Sequence, residues 1–257
     1  MPQENKLSII VPIYNEIKII NSFLLNLLEV FNKIDCKYIF IDDGSTDGTT
    51  KDVEQILDKH FYNKPIKYIK LKKNFGKAFA IKEGIKFIDG NYTLLIDSDL
   101  EYSPNDALEL YQLALKNNSI EIIQGSRYLG AKVQSRRYVF NDIAVRINTF
   151  LFNFLFSQSI TDLHTGTKIF KSKLLKSLYL SYSRFGLEIN INSQIAKKNI
   201  YIYEYGIGYI ERSKEDGKKI TFVDGLLSYY YLFISRFIQN DLPTNFSILY
   251  SFLSMTY

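Results

Sequence analysis

The 257-residue sequence predicts an α/β fold built on a doubly wound, mostly parallel sheet. Three observations predict it. Four short apolar runs end in polar, turn-forming residues. The stretches between them carry apolar residues at helical spacing. Strand, loop and helix alternate four times over, and such alternation requires crossover connections, which make neighbouring strands parallel.

The elements follow in order. Residues 7–12 (Leu-Ser-Ile-Ile-Val-Pro) read as a buried strand ended by Pro12, with Asn15 and Glu16 in the next loop. From Ile17 to Phe31, Ile20, Phe23, Leu24, Leu27, Leu28 and Phe31 recur with helical period. Tyr38 to Ile41 is a second strand, running into Asp42-Asp43-Gly44-Ser45-Thr46-Asp47-Gly48-Thr49, which is turn chemistry throughout. A helix follows to about Lys59. Ile66 to Leu71 is the third strand, Asn74-Phe75-Gly76 its loop, and Lys77 to Phe87 the next helix. Tyr92 to Ile96 is the fourth strand, and it delivers Asp97-Ser98-Asp99. In a parallel sheet the loops after the strands share one edge, where ligands bind. Pro12–Glu16, Asp42–Asp47, Lys73–Lys77 and Asp97–Glu101 should therefore converge.

Each loop offers chemistry. Asp97 and Asp99 repel each other unless a proton or cation intervenes, and a hard divalent ion bridging substrate phosphates is one solution. Asp42 and Asp43 could accept hydrogen bonds from a base or ribose, or could simply build a turn capped at Ser45, Thr46 or Asp47. Lys73 and Lys77 flank a helix start, a place suited to an anion, though two solvated lysines read the same way. The sequence contains neither G-x-x-x-x-G-K-[ST] nor a G-x-G-x-x-G after the first strand, which disfavours P-loop and dinucleotide folds.

Composition narrows the class. With 46% apolar residues the chain can bury a substantial core. A formal charge of +5 fits a phosphate-bearing partner or an anionic membrane surface. It does not suggest nucleic acid, because no dense basic run or zinc-type spacing occurs. Cys36 is the single cysteine, and His60 and His164 lie far apart, so a cysteine cage, a zinc site or an internal disulfide is not expected. The N-terminus shows no signal-peptide pattern, and a cytoplasmic location is expected. Asn91-Tyr-Thr matches a glycosylation sequon that has no meaning there.

Taken together the loops resemble the inverting family-2 glycosyltransferases of the GT-A fold. The residues that carry this are Ser8-Ile-Ile-Val-Pro-Ile-Tyr-Asn-Glu16, Ile41-Asp-Asp-Gly-Ser-Thr-Asp-Gly-Thr49, Asn74-Phe-Gly-Lys77 with Ala80 and Gly84, and Asp97-Ser-Asp99. Gln124-Gly-Ser-Arg-Tyr128, Asp162-Leu-His-Thr-Gly-Thr-Lys168, Tyr209-Ile-Glu-Arg212 and Asp216-Gly-Lys-Lys-Ile220 are similar to the polyprenyl-phosphate (dolichyl-phosphate-like) branch. The resemblance covers about residues 6–238.

It implies a nucleoside-diphosphate sugar donor and a lipid-phosphate acceptor. Pro12, Tyr14, Glu16, Asp43 and Lys73 or Asn74 would line the nucleoside pocket, with Lys77 beside them. Asp97 and Asp99 would hold Mg²⁺ or Mn²⁺ against the diphosphate. The branch often has Gln where this chain has Glu101, a third carboxylate that could join the metal shell or face solvent. Arg127 and Arg212 could stabilise the leaving group or hold an acceptor phosphate. A lipid phosphate arrives ionised, whereas a glycan hydroxyl needs a base. For that base Asp162 is preferred, with Glu188 and His164 behind it.

Two regions bear on membranes. Arg136, Arg137 and Arg146 precede a helical face of Ile147, Phe150, Leu151, Phe154 and Leu155, widened by Phe152 and Phe156. The tail from Phe222 repeats the pattern with Leu226, Leu227, Tyr230, Tyr231, Phe233, Ile234 and Phe237. No stretch reaches the ~18–20 apolar residues of a spanning helix. The expectation is a catalytic domain over 1–220 and an amphipathic helix and tail over 221–257. The protein would sit peripherally at the cytoplasmic face of a membrane, with room for a membrane-protein partner or a homo-oligomer. The alternatives are transfer to a glycan hydroxyl and a non-catalytic nucleotide-sugar-binding protein. Sugar nucleotidyltransfer is disfavoured because Val11-Pro-Ile-Tyr-Asn-Glu16 is neither glycine-rich nor basic.

Overall fold

The computed structural model describes residues 6–180, 186–212 and 222–237. Its core is a seven-stranded sheet in the order β3-β2-β1-β4-β7-β5-β8. The first half alternates as the sequence predicts: β1 (Leu7–Ile13), α1 (Ile20–Phe31), β2 (Cys36–Asp42), α2 (Thr49–His60), β3 (Ile66–Lys70), α3 (Lys77–Ile85), β4 (Tyr92–Leu95) and α4 (Pro104–Lys116). β5 (Ile122–Ser126), β6 (Gln134–Ser135), α5 (Val139–Phe156), β7 (Lys168–Lys171), α6 (Ser172–Lys176), α7 (Leu187–Lys197), β8 (Tyr203–Gly206), β9 (Tyr209–Ile210) and α8 (Phe222–Phe237) follow. β1 to β4 are mutually parallel, and β5 pairs parallel to β8. β7 runs antiparallel between β4 and β5, so the sheet is mixed. β6 and β9 form a separate two-stranded ribbon.

The alternation of side chains along a strand builds a core on each face. Along β1, Leu7, Ile9, Val11 and Ile13 point into the layer under α1, α2 and α4, while Ile10 points the other way, toward α3, α6 and α7. β2 does the same, with Tyr38 and Phe40 on the first side and Ile39 and Ile41 on the second. α1 begins at Ile20 rather than Ile17, because the Ile17 N–H donates to Asp47 Oδ2 (3.3 Å) and residues 17–19 form a turn. At the start of α4, Ser103 accepts the Asn105 N–H and Pro104 occupies the first turn, where its missing donor is harmless.

A third cluster joins α5, α7 and α8 through Phe152, Phe156, Leu163, Ile189, Ala196 and Leu232. This corrects two expectations. Phe152 and Phe156 do not widen an outward face; they are buried in the protein. α5 runs for 18 residues, long and apolar enough by length and composition to cross a membrane, contrary to the sequence estimate. Its first turns include Asp142 and Arg146, which pair four residues apart at 2.9 Å and let the helix continue through them. The expected boundary at 220/221, the motif Asp216–Ile220, the tail 238–257 and the side chain of Leu226 lie outside the described residues. α8 itself is attached to the body: the Asn148 amide donates to Ser228 Oγ at 2.7 Å.

Candidate active site

The loops after β1, β2, β3 and β4 meet at one edge and are bonded to one another. Ser45 Oγ accepts the Asn15 N–H (3.0 Å), Thr49 Oγ1 accepts the Glu16 N–H (2.9 Å), and Asn15 Oδ1 accepts the Thr46 N–H (2.8 Å). Asp42 accepts from the Ser45 N–H (2.8 Å) and from the Thr50 and Tyr68 hydroxyls. It therefore builds the turn and is buried. Asp43 accepts the backbone N–H groups of Phe75 (2.8 Å) and Gly76 (2.7 Å), which fixes the loop leading into α3. Gly44 is required here. Its φ is +70°, and a Cβ would stand 2.5 Å from the Lys73 carbonyl carbon. The second and third loops thus touch backbone to backbone. Lys73 is exposed, with its ammonium 5.4 Å from the Phe75 ring centre. Ser98 donates to the Pro12 carbonyl at 3.0 Å, joining the first loop to the fourth.

Asp97 and Asp99 close the edge. Lys77, the first residue of α3, lies 2.8 Å from Asp97 Oδ1 and 3.0 Å from Glu188 Oε1 on α7. Burial would lower the Lys77 ammonium, but the two carboxylates outweigh it and hold its pKa above the ordinary range. Arg212 lies 3.7 Å from Asp99 Oδ2 and is bonded more tightly to Glu16, at 2.6 and 3.3 Å. Asp99 is pushed up to about 8 by burial, with repulsion from Asp97 and Glu101 adding to it against the pull of Arg212. Leu100, between the acidic residues, has φ of +57°, a conformation that branched side chains adopt only under constraint. The pair suits a hard divalent ion. It offers oxygen donors that repel each other, and each carboxylate already draws a protein cation toward it.

Three expectations change. Glu101 does not join Asp97 and Asp99 in a three-carboxylate shell. It accepts the Tyr209 hydroxyl (3.2 Å) and the Arg212 N–H (3.1 Å), and among the described residues no three His, Cys, Asp or Glu side chains group as metal ligands. Glu16 is bound to Arg212 rather than open to a nucleoside. Asp162 is not placed as a general base. It is fully buried, and its two oxygens clasp Arg127 Nε and Nη2 at 2.7 Å each while also accepting the Arg127 and His164 N–H groups. Burial would raise its carboxyl, but Arg127 outweighs that and holds it below the carboxylate range. His164 is pushed down to about 4 by burial, so it is neutral.

Further residues brace the arrangement, and of these Glu204 carries no sequence signal. Glu204 on β8 accepts the Thr161 and Asp162 N–H groups (2.7 and 3.1 Å) and the Gln124 amide, so it fixes the loop that positions Asp162. Glu211 accepts the N–H groups of Arg137 and Tyr138, the two residues that lead into α5. The Arg127 guanidinium lies 5.1 Å from the Tyr209 ring centre, and Arg136 and Arg146 lie 4.3 and 4.5 Å from that of Tyr128, whose hydroxyl donates to Asp142.

Comparison with known proteins agrees with this geometry. The family model described as "Glycosyl transferase family 2" matches residues 8–179. A dolichyl-phosphate beta-glucosyltransferase of Dictyostelium discoideum is 30% identical over 227 residues, covering 83% of this chain and 68% of that protein. A dolichol-phosphate mannosyltransferase of Pyrococcus furiosus is 33% identical over 138 residues, covering 51% of this chain and 36% of that protein. Among solved structures, glucosyl-3-phosphoglycerate synthase from Mycobacterium tuberculosis, crystallised with Mn²⁺, UDP and glucosyl-3-phosphoglycerate, superposes with a TM-score of 0.69. The match has 15% identity and covers 92% of this chain and 82% of that one. The same enzyme with Mn²⁺ and UDP-glucose gives a TM-score of 0.67 at 18% identity, covering 92% and 81%.

Proposed function

The chain belongs to glycosyl transferase family 2, and from that premise we propose that it moves a hexose from a nucleoside-diphosphate donor to a polyprenyl phosphate. The observation that carries the donor half is the Asp97/Asp99 pair at the end of β4, held between Lys77 and Arg212. Asp97 and Asp99 would hold Mg²⁺ or Mn²⁺ against the diphosphate, in keeping with the metal and UDP bound by the Mycobacterium tuberculosis enzyme. When bound, the ion neutralises charge that grows on the leaving diphosphate. Pro12, Tyr14, Asp43, Lys73 and Asn74 sit on the loops that would receive the nucleoside. Asp43 shapes that surface by accepting the Phe75 and Gly76 N–H groups. Arg212 is near enough to the pair to exchange Glu16 for a phosphate oxygen.

The acceptor half rests on Asp162. With both oxygens committed to Arg127, it is poorly suited to take a proton from a hydroxyl, and Glu188 is paired with Lys77. A phosphate acceptor needs no such base, because its oxygen is already ionised at neutral pH. The D. discoideum and P. furiosus relatives are named for dolichyl or dolichol phosphate, which supports the same reading. α5 supplies a surface for a lipid. Val139, Phe140, Phe150 and Phe154 are 70, 87, 68 and 78% exposed, and Arg136 and Arg137 precede them. The opposite side, with Asn148, Thr149, Phe152 and Phe156, is packed on the protein. A helix held on one face and apolar on the other lies in a lipid interface rather than across it. This favours a protein bound peripherally to a membrane.

A panel assay tests the reading. Purified protein with Mn²⁺ or Mg²⁺ is given UDP- and GDP-sugars with and without a short polyprenyl phosphate, and nucleoside diphosphate release is followed. Release that depends on metal and lipid phosphate is expected. Release indifferent to the lipid would overturn the acceptor and favour a glycan hydroxyl. No release from any donor would overturn catalysis and favour a nucleotide-sugar-binding protein.

A further inference from the structure

We propose that Glu188 reads the transferred sugar and selects a neutral hexose over a uronic acid. The inference rests on the donor reading above and deepens it.

Strand order supplies the geometry. The sheet runs β3-β2-β1-β4-β7-β5-β8. A nucleoside over the loops after β1, β2 and β3, with its diphosphate at Asp97 and Asp99 after β4, extends its sugar toward β7 and the helices beside it. On that side stands Lys77, 2.8 Å from Asp97 Oδ1, and its ammonium also reaches Glu188 Oε1 at 3.0 Å, although Lys77 and Glu188 are 111 residues apart. Their side chains are 28 and 12% exposed and that of Asp97 is 21%, so none of the three is sealed from solvent. The loop behind Asp97 is backbone. A Cβ at Gly166 would stand 2.0 Å from Asp97 Oδ2, so the 162–167 loop can close on the carboxylate only with glycine there.

Glu188 has the hydrogen-bonding character a sugar needs. Oε1 takes the Lys77 ammonium, while Oε2 has no side-chain partner among the described residues. A carboxylate accepts only, and sugar hydroxyls are donors able to meet it. The same charge sets the selection. With Asp97 turned to the metal ion, Glu188 keeps the Lys77 ammonium through Oε1 and presents a second carboxylate oxygen, which a uronate carboxylate set beside it would meet as a like-charged, acceptor-only group. Lys168 also feels Glu188, but its ammonium is buried on Gln124 Oε1 and does not reach a ligand. A uronate would bring a third carboxylate to this place.

Titration calorimetry in Mn²⁺ tests this with UDP, UDP-glucose and UDP-glucuronate, run in parallel with GDP, GDP-mannose and GDP-mannuronate. The expected result is that one diphosphate binds and that its neutral sugar form binds about tenfold more tightly than its uronate. Glu188→Gln keeps an oxygen for Lys77. It should leave the bare diphosphate unchanged, weaken the neutral sugar form about tenfold and close the gap to the uronate. Equal loss for diphosphate and sugar form, or an unchanged neutral-to-uronate ratio, would overturn the role of Glu188 and leave the donor reading standing. The wild-type comparison needs no substitution, and a uronate bound as tightly as the neutral sugar overturns the inference by itself. Binding of neither diphosphate overturns the donor reading, and this inference with it.

Discussion

The two halves of the cleft edge use polar residues in opposite ways. Over β1 to β4, short loops bond to one another through Asn15, Ser45, Thr49 and Asp43, and the charged pair Asp97/Asp99 is left for a ligand. Over β7, β5 and β8, the charged residues are used up inside the protein. Arg127 is clasped by Asp162, the Asp162 loop is held by Glu204, and what is left outward is apolar: Phe140, Phe150 and Phe154 of α5. The first half is a polar cradle around a carboxylate pair set between Lys77 and Arg212, and the second a braced platform beside an apolar surface. The proposed nucleoside-diphosphate donor and lipid-phosphate acceptor would call for that division of labour.

The largest test of the contrast is Asp99→Asn. If the donor side lives on carboxylate charge, metal-dependent diphosphate release should fall at least about a thousandfold. Circular dichroism should be unchanged, and undiminished turnover would remove the metal role. The acceptor side should fail differently. Asp162→Ala leaves the Arg127 guanidinium buried without its partner, at a cost of about 3–5 kcal/mol in denaturant unfolding. A stable but inactive variant would instead return Asp162 to the role of base.

A third test uses pH. His164 has a folded pKa of about 4 against an ordinary value of 6.5, so its contribution to stability is full above 6.5 and is lost as pH falls toward 4. The loss is limited to about 3 kcal/mol. Stability measured from pH 7 to 4 should fall by less in His164→Gln, and parallel curves would show that the ring is not buried in its neutral form. The smallest effect is expected at the surface. Replacing Phe150 and Phe154 by Ser should weaken binding to anionic liposomes by roughly tenfold or more without unfolding the protein, since each exposed ring adds only part of its apolar area to an interface. Unchanged binding by a folded variant would leave α5 as a contact for protein rather than lipid.

The same contrast explains what could be read from the sequence. The first half was legible because each strand, its loop and its helix are consecutive, so periodicity and turn chemistry lie within one window. The converging loops and the Asp97/Asp99 pair followed from that order. The second half depends on partners far apart in the chain. Arg127 and Asp162 are 35 residues apart, Lys77 and Glu188 111, and Arg212 and Glu16 196. No local pattern announces that Asp162 is taken by Arg127, that Glu101 turns toward Tyr209, that Glu211 of its motif receives the Arg137 and Tyr138 N–H groups, or that Glu204 matters at all. The resemblance located Asp162 and Glu101 in motifs, but a motif carries no information on what already occupies a carboxylate. α5 was half legible. Its apolar residues were visible, yet which of them faced outward depended on α7 and α8 packing against Phe152 and Phe156.

Glu211 and Arg212 are consecutive residues that hold different things. One receives the N–H groups of Arg137 and Tyr138, which lead into α5, and the other grips Glu16 beside Asp99. The start of α5 and the Asp99 edge are thus tied to neighbouring positions of one chain, a single ~3.8 Å step of backbone apart, each through one side chain. Divergent members could exchange the outward residues of α5 to suit a different lipid surface. They could not insert or delete a residue at this step without releasing either the helix or the catalytic edge. The join between 211 and 212 is a length standard for the enzyme, and alignments of relatives should run through it without a gap.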